Sequence, residues 1–349
     1  MSAMELLTVS LIVIGTAIAA VLITVTVTSL VESHRIRIEP MLGDSRRTVV
    51  TALSGGDSEF DTARASLSRL SERQVVAVLL DLAPSVSGDS RAILVALGER
   101  SGVLQRARSG VKWHRWFTRL YSARLLTAFG VESQELCRLL SDRSPEVRTQ
   151  AAAWTVVAPN PESIDRLIGL LGDPDGLCRF AAQDALIRIG LPASEALIGA
   201  LDTDDQEVIG RVLEIAAAMG DARFYRHATA LTSDPSPTTR ALAVAVLART
   251  AHPNAGPALV ALLDDQSEDV VLAAATGIAT LEFWPGAANI EPLLGHPWWE
   301  LRKQAGLTLL ALGAPGAILL RTTAPGDGLA AEMAVQALQL RSISIGDAA

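Results

Sequence analysis

Two apolar stripes of helical spacing alternate with a short polar turn throughout residues 132–341. In the first complete unit, Leu136, Leu139 and Leu140 form one stripe, and Val147 and Ala151 begin the next one after the turn. An Asp or His recurs in the turn, at spacings of 31, 32, 29, 31, 31 and 31 residues: Asp142, Asp173, Asp205, Asp234, Asp265, His296 and Asp327. A fixed period near 31 residues is typical of stacked-repeat proteins. The pattern predicts seven helix–turn–helix units.

The turn carries the signals of a helix start. Ser144 can cap the following helix, Pro145 suits its first position, and Glu146 favours the positive helix end. Similar proline-containing dipeptides recur in other turns: Asp173-Pro174, Ser236-Pro237 and His296-Pro297. The turn at residues 202–205 fits two registers that differ by one residue.

The register predicts two rows of core residues. Nine positions after the turn Asp lie small residues, which let two helices approach closely: Ala151, Ala182, Ala243, Ala274 and Ala305. Thirteen positions after it lie larger residues: Leu186, Leu247, Ile278, Leu309 and Leu340.

Four segments show the repeat most clearly: LLSDRSPEVRTQAAA, LLGDPDGLCRFAAQDAL, LTSDPSPTTRALAVAVL and LLGHPWWELRKQAGLTLL. They resemble the HEAT-repeat family, and within it the bacterial short repeats called lyase-type HEAT-like. The resemblance covers about residues 132–341 and extends in degenerate form over 61–131. It implies an all-α fold, a right-handed α–α superhelix. HEAT arrays serve many unrelated roles, so the resemblance does not identify an activity.

The resemblance also implies a role for the Asp and Arg positions of the turns. In the family they form a structural ladder along the stacked turns, and a row of ligand-binding sites is the alternative. The ladder residues are Asp142, Arg148, Asp173, Arg179, Asp205, Arg211, Asp234, Arg240, Asp265 and Arg302. Val271 and Met333 depart from the Arg pattern.

The other end of the chain is apolar. Leu6–Val31 contains no charged side chain, and as a helix it would be roughly 38 Å long, enough to cross a bilayer with some tilt. A signal peptide cleaved after Ala17-Ile18-Ala19 is the alternative, but its apolar region would be shorter and preceded by Lys or Arg. We predict one transmembrane helix at residues 6–31.

Flanking charge predicts the orientation of this helix. Only Glu5 precedes it, whereas four arginines follow within the distance at which positive residues count: Arg35, Arg37, Arg46 and Arg47. Residues 1–5 are therefore expected outside and the repeats in the cytoplasm, at the cell membrane. Cys137 and Cys178, at helical positions of different units, suit a reducing compartment.

Three further segments complete the organisation. Residues 32–60 contain Pro40, Gly43 and Gly55-Gly56 and are predicted to be a tether. Helical periodicity returns at residues 60–70 and 72–82, so residues 61–131 are expected to form irregular N-terminal repeats that cover the end of the core. Residues 342–349 are predicted to be a polar tail.

Composition narrows the range of partners. The net charge is −8, and Lys112 and Lys303 are the only lysines. Nucleic-acid binding requires Lys and Arg to neutralise phosphates, so this balance argues against it.

The five histidines share no metal-ligand spacing and the two cysteines form no CxxC. We therefore predict no catalytic residue, metal or cofactor.

Residues 106–119 reverse the charge balance of the chain, with five Arg or Lys, three aromatic residues and no acid. This composition suits a protein hot spot or an anionic membrane interface. The alternative is a long capping helix with Trp113, Trp116, Phe117 and Leu120 in the core and the arginines reaching outwards.

Trp298-Trp299 opens a second helix. Adjacent helical residues cannot both face the core, so at least one of these tryptophans should be exposed. The candidate interaction surface comprises Arg106, Arg108, Lys112, Trp113, Arg115, Trp116, Trp298 and Trp299.

Together these features predict a membrane-anchored scaffold. It would bind another protein, itself membrane-bound, at the cytoplasmic face. Two alternatives remain open: a lyase-like or other ligand-handling protein with polar groups along one groove, and a module that binds anionic lipid through residues 106–119.

Overall fold

The computed structural model describes residues 41–131 and 134–346, and these ranges contain helices and turns but no strand. The chain divides into two compact units, Met1–Glu132 (unit 1) and Ser133–Ala349 (unit 2). The predicted membrane helix at 6–31 and residues 1–5 lie outside the described residues. Among the helices that are described, none is long and apolar enough to span a bilayer.

Unit 1 is an irregular array of helices. Its described helices are α1 (residues 41–52), α2 (Asp57–Leu67), α3 (Glu72–Leu82), α4 (Gly88–Arg100), α5 (Val103–Gly110) and α6 (Trp116–Phe129). A 3₁₀ turn, Ala83–Ser85, follows α3. Most of the buried side chains are aliphatic, and Phe129 of α6 is fully buried among them.

The tether predicted at residues 32–60 is wrong for residues 41–52, which form α1. Val49 and Ala52, one helical turn apart, are buried, and Ser45 lies 2.8 Å from Ser66 of α2. The apolar face of α1 thus belongs to the core of unit 1. The turn at Gly55-Gly56 separates α1 from α2.

Unit 2 consists of helix pairs in which a short first helix precedes a longer second helix. The first helices are α7 (Gln134–Leu139), α9 (Pro161–Gly169), α11 (Ser194–Gly199), α13 (Tyr225–Leu231), α15 (Ala255–Ala261), α17 (Ala287–Ile290) and α19 (Ala314–Thr323). The second helices are α8 (Pro145–Thr155), α10 (Gly176–Ile189), α12 (Gln206–Met219), α14 (Pro237–Arg249), α16 (Glu268–Thr280), α18 (Trp299–Ala311) and α20 (Leu329–Gly346). Successive second helices pack against one another, as expected for a solenoid.

Short 3₁₀ helices adjust the ends of the first helices in unit 2. Three of them lie after a first helix: Leu170–Gly172, Leu262–Asp264 and Glu291–Gly295. Three others lie before one: Leu191–Ala193, Ala222–Phe224 and Trp284–Gly286. A 3₁₀ helix is wound more tightly than an α-helix and is common at helix ends, as it is here.

The two predicted core rows are fully buried except at the C-terminal end. All five alanines of the first row and the first four residues of the second row have no exposed surface. The prediction for Leu340 is wrong, because this side chain is exposed. In α20, Ala334 and Ala337 are buried instead, and Ala337 lies close to Gly306 of α18. The last helix therefore packs in a different register.

The predicted tail is also shorter than expected. The helix α20 continues to Gly346, into the segment predicted to be a tail from residue 342. The sequence of this segment, Ser342 to Gly346, contains two isoleucines and no proline, so nothing in it terminates the helix earlier.

Candidate interaction surfaces

The turn that precedes each second helix is organised by one side chain. The carboxylates of Asp142, Asp173, Asp234 and Asp265 accept a hydrogen bond from the backbone N–H two residues later, at 2.8 to 2.9 Å. In the sixth unit His296 replaces the Asp, and its Nδ1 accepts the N–H of Trp298 at 3.1 Å. An imidazole nitrogen thus accepts the hydrogen bond that a carboxylate oxygen accepts in the other turns.

The third unit has a different register from the one predicted. Asp205 is the N-cap of α12, where its carboxylate accepts the N–H groups of Glu207 and Val208. The turn position is occupied by Thr203, whose Oγ1 accepts the N–H of Asp205 at 3.3 Å. The register therefore differs by two residues, and Asp205 does not belong to the ladder.

The arginines bond first to their own turns. Arg148, Arg179, Arg240 and Arg302 each donate from Nη1 to the carbonyl oxygen of the turn residue six positions earlier, at 2.7 to 3.0 Å. Arg211 is not equivalent to them, because it follows the shifted Asp205. It donates instead to the carbonyl oxygen of Leu171 and to Glu207.

Two of these arginines also join neighbouring units. Arg148 Nη2 donates to Asp173 Oδ1 at 2.8 Å, and Arg240 binds both carboxylate oxygens of Asp265, at 2.9 and 2.8 Å. Burial raises the pKa of Asp173, but the hydrogen bonds from Arg148 and from the backbone N–H of Asp175, together with the nearby charges of Arg148 and Arg179, outweigh it, so the pKa is lowered. The hydrogen bond from Arg240 lowers the pKa of Asp265. These contacts make the ladder a set of structural bonds between turns.

A second buried carboxylate, missed by the sequence analysis, ties first helices together. Asp221 accepts hydrogen bonds from Ser194 Oγ at 2.6 Å and from Arg223 Nε at 2.8 Å. Burial raises the pKa of Asp221, but the hydrogen bonds from Arg223 and Ser194 lower it by a larger amount, so the pKa is about 2. The local signal was Gly220-Asp221, a helix end followed by an N-cap residue.

The segment 106–119 does not form the long capping helix considered as an alternative. The helix α5 ends at Gly110, a turn follows, and α6 begins at Trp116. The exposed fractions of four aromatic side chains are 54% for Trp113, 46% for Trp116, 52% for Phe117 and 50% for Tyr121. We call these four residues the aromatic patch. They are not core residues.

The basic residues of this segment have separate roles. Arg106 forms an ion pair with Glu72 at 2.7 Å, and Arg108 binds Glu99 through two hydrogen bonds. Both arginines therefore have acidic partners within unit 1. Lys112 is exposed in the turn.

The remaining two arginines organise the patch itself. Arg119 Nη1 donates to the backbone carbonyl oxygens of Trp113 and His114, both at 2.9 Å. The guanidinium of Arg115 lies 5.8 Å from the ring centroid of Phe117, a cation–π distance. Trp116 and Phe117 meet edge to face at 6.3 Å.

The second tryptophan pair behaves as expected. Trp298 is half-buried, and Trp299 is 48% exposed, so the prediction that at least one of them is exposed is confirmed. Lys303 Nζ lies 5.2 Å from the ring centroid of Trp299, one helical turn away. This pair lies on the side of α18 that faces solvent.

The same side of α10 carries two apolar residues that the sequence analysis missed. Leu177 and Phe180 are 71% and 70% exposed. Counted along each helix, the first, second, fifth and ninth positions of α8, α10, α12, α14, α16 and α18 are exposed or half-exposed, and we call this the open face. When the second helices are aligned by their first residues, Phe180 stands at the fifth position, which the other five helices fill with Thr, Gly, Ala, Leu or Lys.

A groove of about 380 Å³ crosses the open face beside α12 and α14. Polar side chains line much of it, including Gln183, Glu207, Arg211 and Glu214. Gln183 donates to Glu214 at 3.1 Å and Arg211 to Glu207 at 3.0 Å, so these groups are held in place.

Other reactive groups are not arranged as a site. Cys137 and Cys178 are buried free thiols, and burial raises the pKa of each. Within the described ranges, no three His, Cys, Asp or Glu side chains are placed to hold a metal ion.

Comparison with known proteins identifies the repeats. The family model for HEAT repeats matches residues 119–218 and 226–290. These two stretches are therefore HEAT repeats, as the turn pattern indicated. No curated protein sequence matches the chain.

Solved structures of a karyopherin show a similar fold. The karyopherin Kap121p bound to the SUMO protease Ulp1p is similar at 12% identity with a TM-score of 0.51, over 84% of this chain and 41% of the karyopherin. Kap121p bound to Nup53p gives the same identity and TM-score, over 83% and 40%. This chain thus spans about two fifths of the karyopherin. The complex of CpcE and CpcF of phycocyanin lyase from Nostoc sp. PCC7120 matches at 19% identity, over 62% of this chain and 92% of that one, but with a TM-score of 0.32.

Proposed function

We propose that this protein is a membrane-anchored HEAT-repeat scaffold that binds another protein on the open face of unit 2. One observation carries the proposal: large apolar side chains stand in solvent on this face. Leu177 and Phe180 lie on α10, and Trp299 lies on α18. Protein interfaces concentrate their binding free energy in a few such residues, and Trp is prominent among them.

The spacing of these residues suits an elongated ligand. Four steps between neighbouring second helices separate α10 from α18, a distance of roughly 32–40 Å. An extended peptide of about ten to twelve residues covers that distance. Between the two ends the fifth helix position is Gly210 in α12, Ala241 in α14 and Leu272 in α16, so the small residues of α12 and α14 leave room for the ligand beside Phe180.

The comparison with the karyopherin supports this use of the fold. That protein, in structures similar to this one, is bound to the SUMO protease Ulp1p or to Nup53p. A HEAT array can thus hold a protein partner. The similarity itself extends only to the fold.

The membrane-anchored part of the proposal rests on sequence. Residues 6–31 are uncharged and long enough to cross a bilayer, and the following arginines favour a cytoplasmic repeat domain. An anchored scaffold would meet a membrane-bound partner at high effective concentration. Resistance of the full chain to alkaline carbonate extraction, together with protease cleavage of the repeats from the cytoplasmic side only, is the expected result. Release by carbonate would contradict the anchor.

Site-specific photo-crosslinking tests the binding face. Benzoylphenylalanine is placed at Phe180 or at Trp299 in the full chain, expressed in its own cells. Ile318 on α19 is the matched control, because it is 59% exposed but belongs to a first helix. We expect the same protein adduct from positions 180 and 299 and not from 318. Adducts of equal yield at all three positions, or none at 180 and 299, would contradict the proposal.

The groove beside α12 and α14 favours a second candidate, the handling of a small polar ligand. Its ordered Gln183–Glu214 and Arg211–Glu207 contacts are the polar groups that such a role requires. Native mass spectrometry of the full chain from its own membranes would then show a bound small molecule that Glu214→Ala removes. An unliganded mass would argue against this candidate.

A further inference from the structure

We propose that unit 1 carries a second interaction surface, and that the aromatic patch docks onto an anionic lipid bilayer. This surface is separate from the open face of unit 2 and would act whether or not that face binds a protein. Its four rings lie in a turn and at the start of a helix, and each is about half exposed.

Contacts within unit 1 hold the aromatic patch in place, and the core of unit 1 does not need its side chains. Arg119 holds the turn through the carbonyl oxygens of Trp113 and His114. Behind the turn, α5 and α6 are in close contact, because a Cβ at Gly110 would lie only 2.1 Å from Ser122 Oγ. The buried residues of α6 begin at Ser122 and Ala123, so the helix contributes to the core without the patch.

Local charge matches an anionic surface. Residues 101–131 contain six Arg or Lys and no Asp or Glu, within a chain of net charge −8. Glu72 and Glu99 each pair with one of these arginines, and Arg115 lies within the patch itself, over Phe117. Acidic lipid headgroups attract such clusters.

The ring types favour lipid over a protein partner. Trp and Tyr concentrate at the membrane–water interface, where the ring body is apolar and one edge stays hydrated. The exposed Trp299 on the open face provides a contrast, because Glu300 follows it directly and would be repelled by acidic headgroups. The two tryptophan sites are therefore assigned to different partners.

Quenching of tryptophan fluorescence by brominated lipids tests the proposal in the full chain. The chain has six tryptophans, and none lies in residues 1–40, so a predicted membrane span there would not contribute to the signal. We expect quenching in vesicles of brominated phosphatidylcholine with phosphatidylglycerol. The double variant Trp113→Phe/Trp116→Phe should abolish it. The matched control Trp284→Phe/Trp299→Phe removes two exposed tryptophans of unit 2. In this variant the brominated lipid should quench the fluorescence of Trp113 and Trp116 as it does in the unchanged chain.

Charge dependence gives the second arm of the test. Arg115→Glu keeps both tryptophans and should reduce quenching in the anionic vesicles several-fold, with an unchanged circular dichroism spectrum. Quenching that is equal in pure phosphatidylcholine would overturn the assignment to anionic lipid. Absence of quenching in every vesicle would overturn docking altogether, and a protein adduct at position 113 in photo-crosslinking would then identify a protein hot spot.

Discussion

Arg148 of one helix pair donates a hydrogen bond of 2.8 Å to Asp173 of the next pair, while its other terminal nitrogen holds its own turn. Arg240 and Asp265 repeat this relationship farther along unit 2. Arg179 has only the bonds to its own turn, because Thr203 and not a carboxylate occupies the next turn position. The ladder therefore joins some pairs of units and not others.

This difference predicts unequal costs for the same substitution. Arg148→Met leaves Asp173, whose side chain is 7% exposed, without its ion-pair partner. We expect the free energy of unfolding to fall by about 1–3 kcal/mol. The matched control Arg179→Met loses only bonds to backbone carbonyl oxygens and should cost less. Urea unfolding of the full chain measures both, and equal costs would contradict the ladder as described.

Val271 interrupts the row of ladder arginines, so introducing an Arg–Asp pair at this point tests the ladder. Val271 is buried at the position where other units have Arg, and the following turn has His296 in place of Asp. Val271→Arg alone should be destabilising, because it buries a cation without a carboxylate. Adding His296→Asp should recover stability, with a coupling free energy of about 0.5–3 kcal/mol in a double-mutant cycle. A coupling of zero would show that the turn geometry cannot accommodate the pair.

Asp221 should make the stability of unit 2 depend on acid. The pKa of Asp221 in the folded chain is about 2, below the ordinary Asp value of 3.8, so its contribution to stability is complete above about pH 5 and is lost as the pH falls towards 2. Asp221→Asn should remove about 1–2 kcal/mol at pH 6 and flatten the pH dependence below 4. Unfolding by urea at pH 6, 4 and 2.5 measures this. Asp269→Asn, at an exposed position of α16, is the control and should not flatten the curve.

Two glycines allow the effect of close packing on stability to be measured separately from that of helix propensity. A Cβ at Gly316 of α19 would lie 1.8 Å from the backbone oxygen of Leu309, whereas a Cβ at Gly199 of α11 would meet nothing within 4 Å. Gly316→Ala should therefore destabilise the chain by about 1–3 kcal/mol or prevent its folding. Gly199→Ala should stabilise it by about 0.5–1 kcal/mol. Thermal unfolding compares the two, and the same sign of change for both would contradict this packing.

The repeat itself was predictable from sequence, because every unit has the same neighbours. Ala151 and Leu186 could be assigned to the core from spacing alone, since a fixed period places equivalent residues in equivalent environments. The Asp and Arg positions of the turns followed from the same periodicity. The prediction was wrong where the units depart from it, at Asp205 and at Leu340.

Periodicity could not determine what the irregular positions do. Whether Trp113 and Trp116 are buried depends on where α5 ends and on the bonds that Arg119 makes to the turn, and neither has a repeating signal. The exposure of Phe180 likewise depends on which side of α10 the first helices cover. Sequence alone thus determined the architecture, because burial of a periodic stripe is a local property repeated many times. Only tertiary packing decided which aromatic residues remain in solvent, because that depends on single contacts between helices.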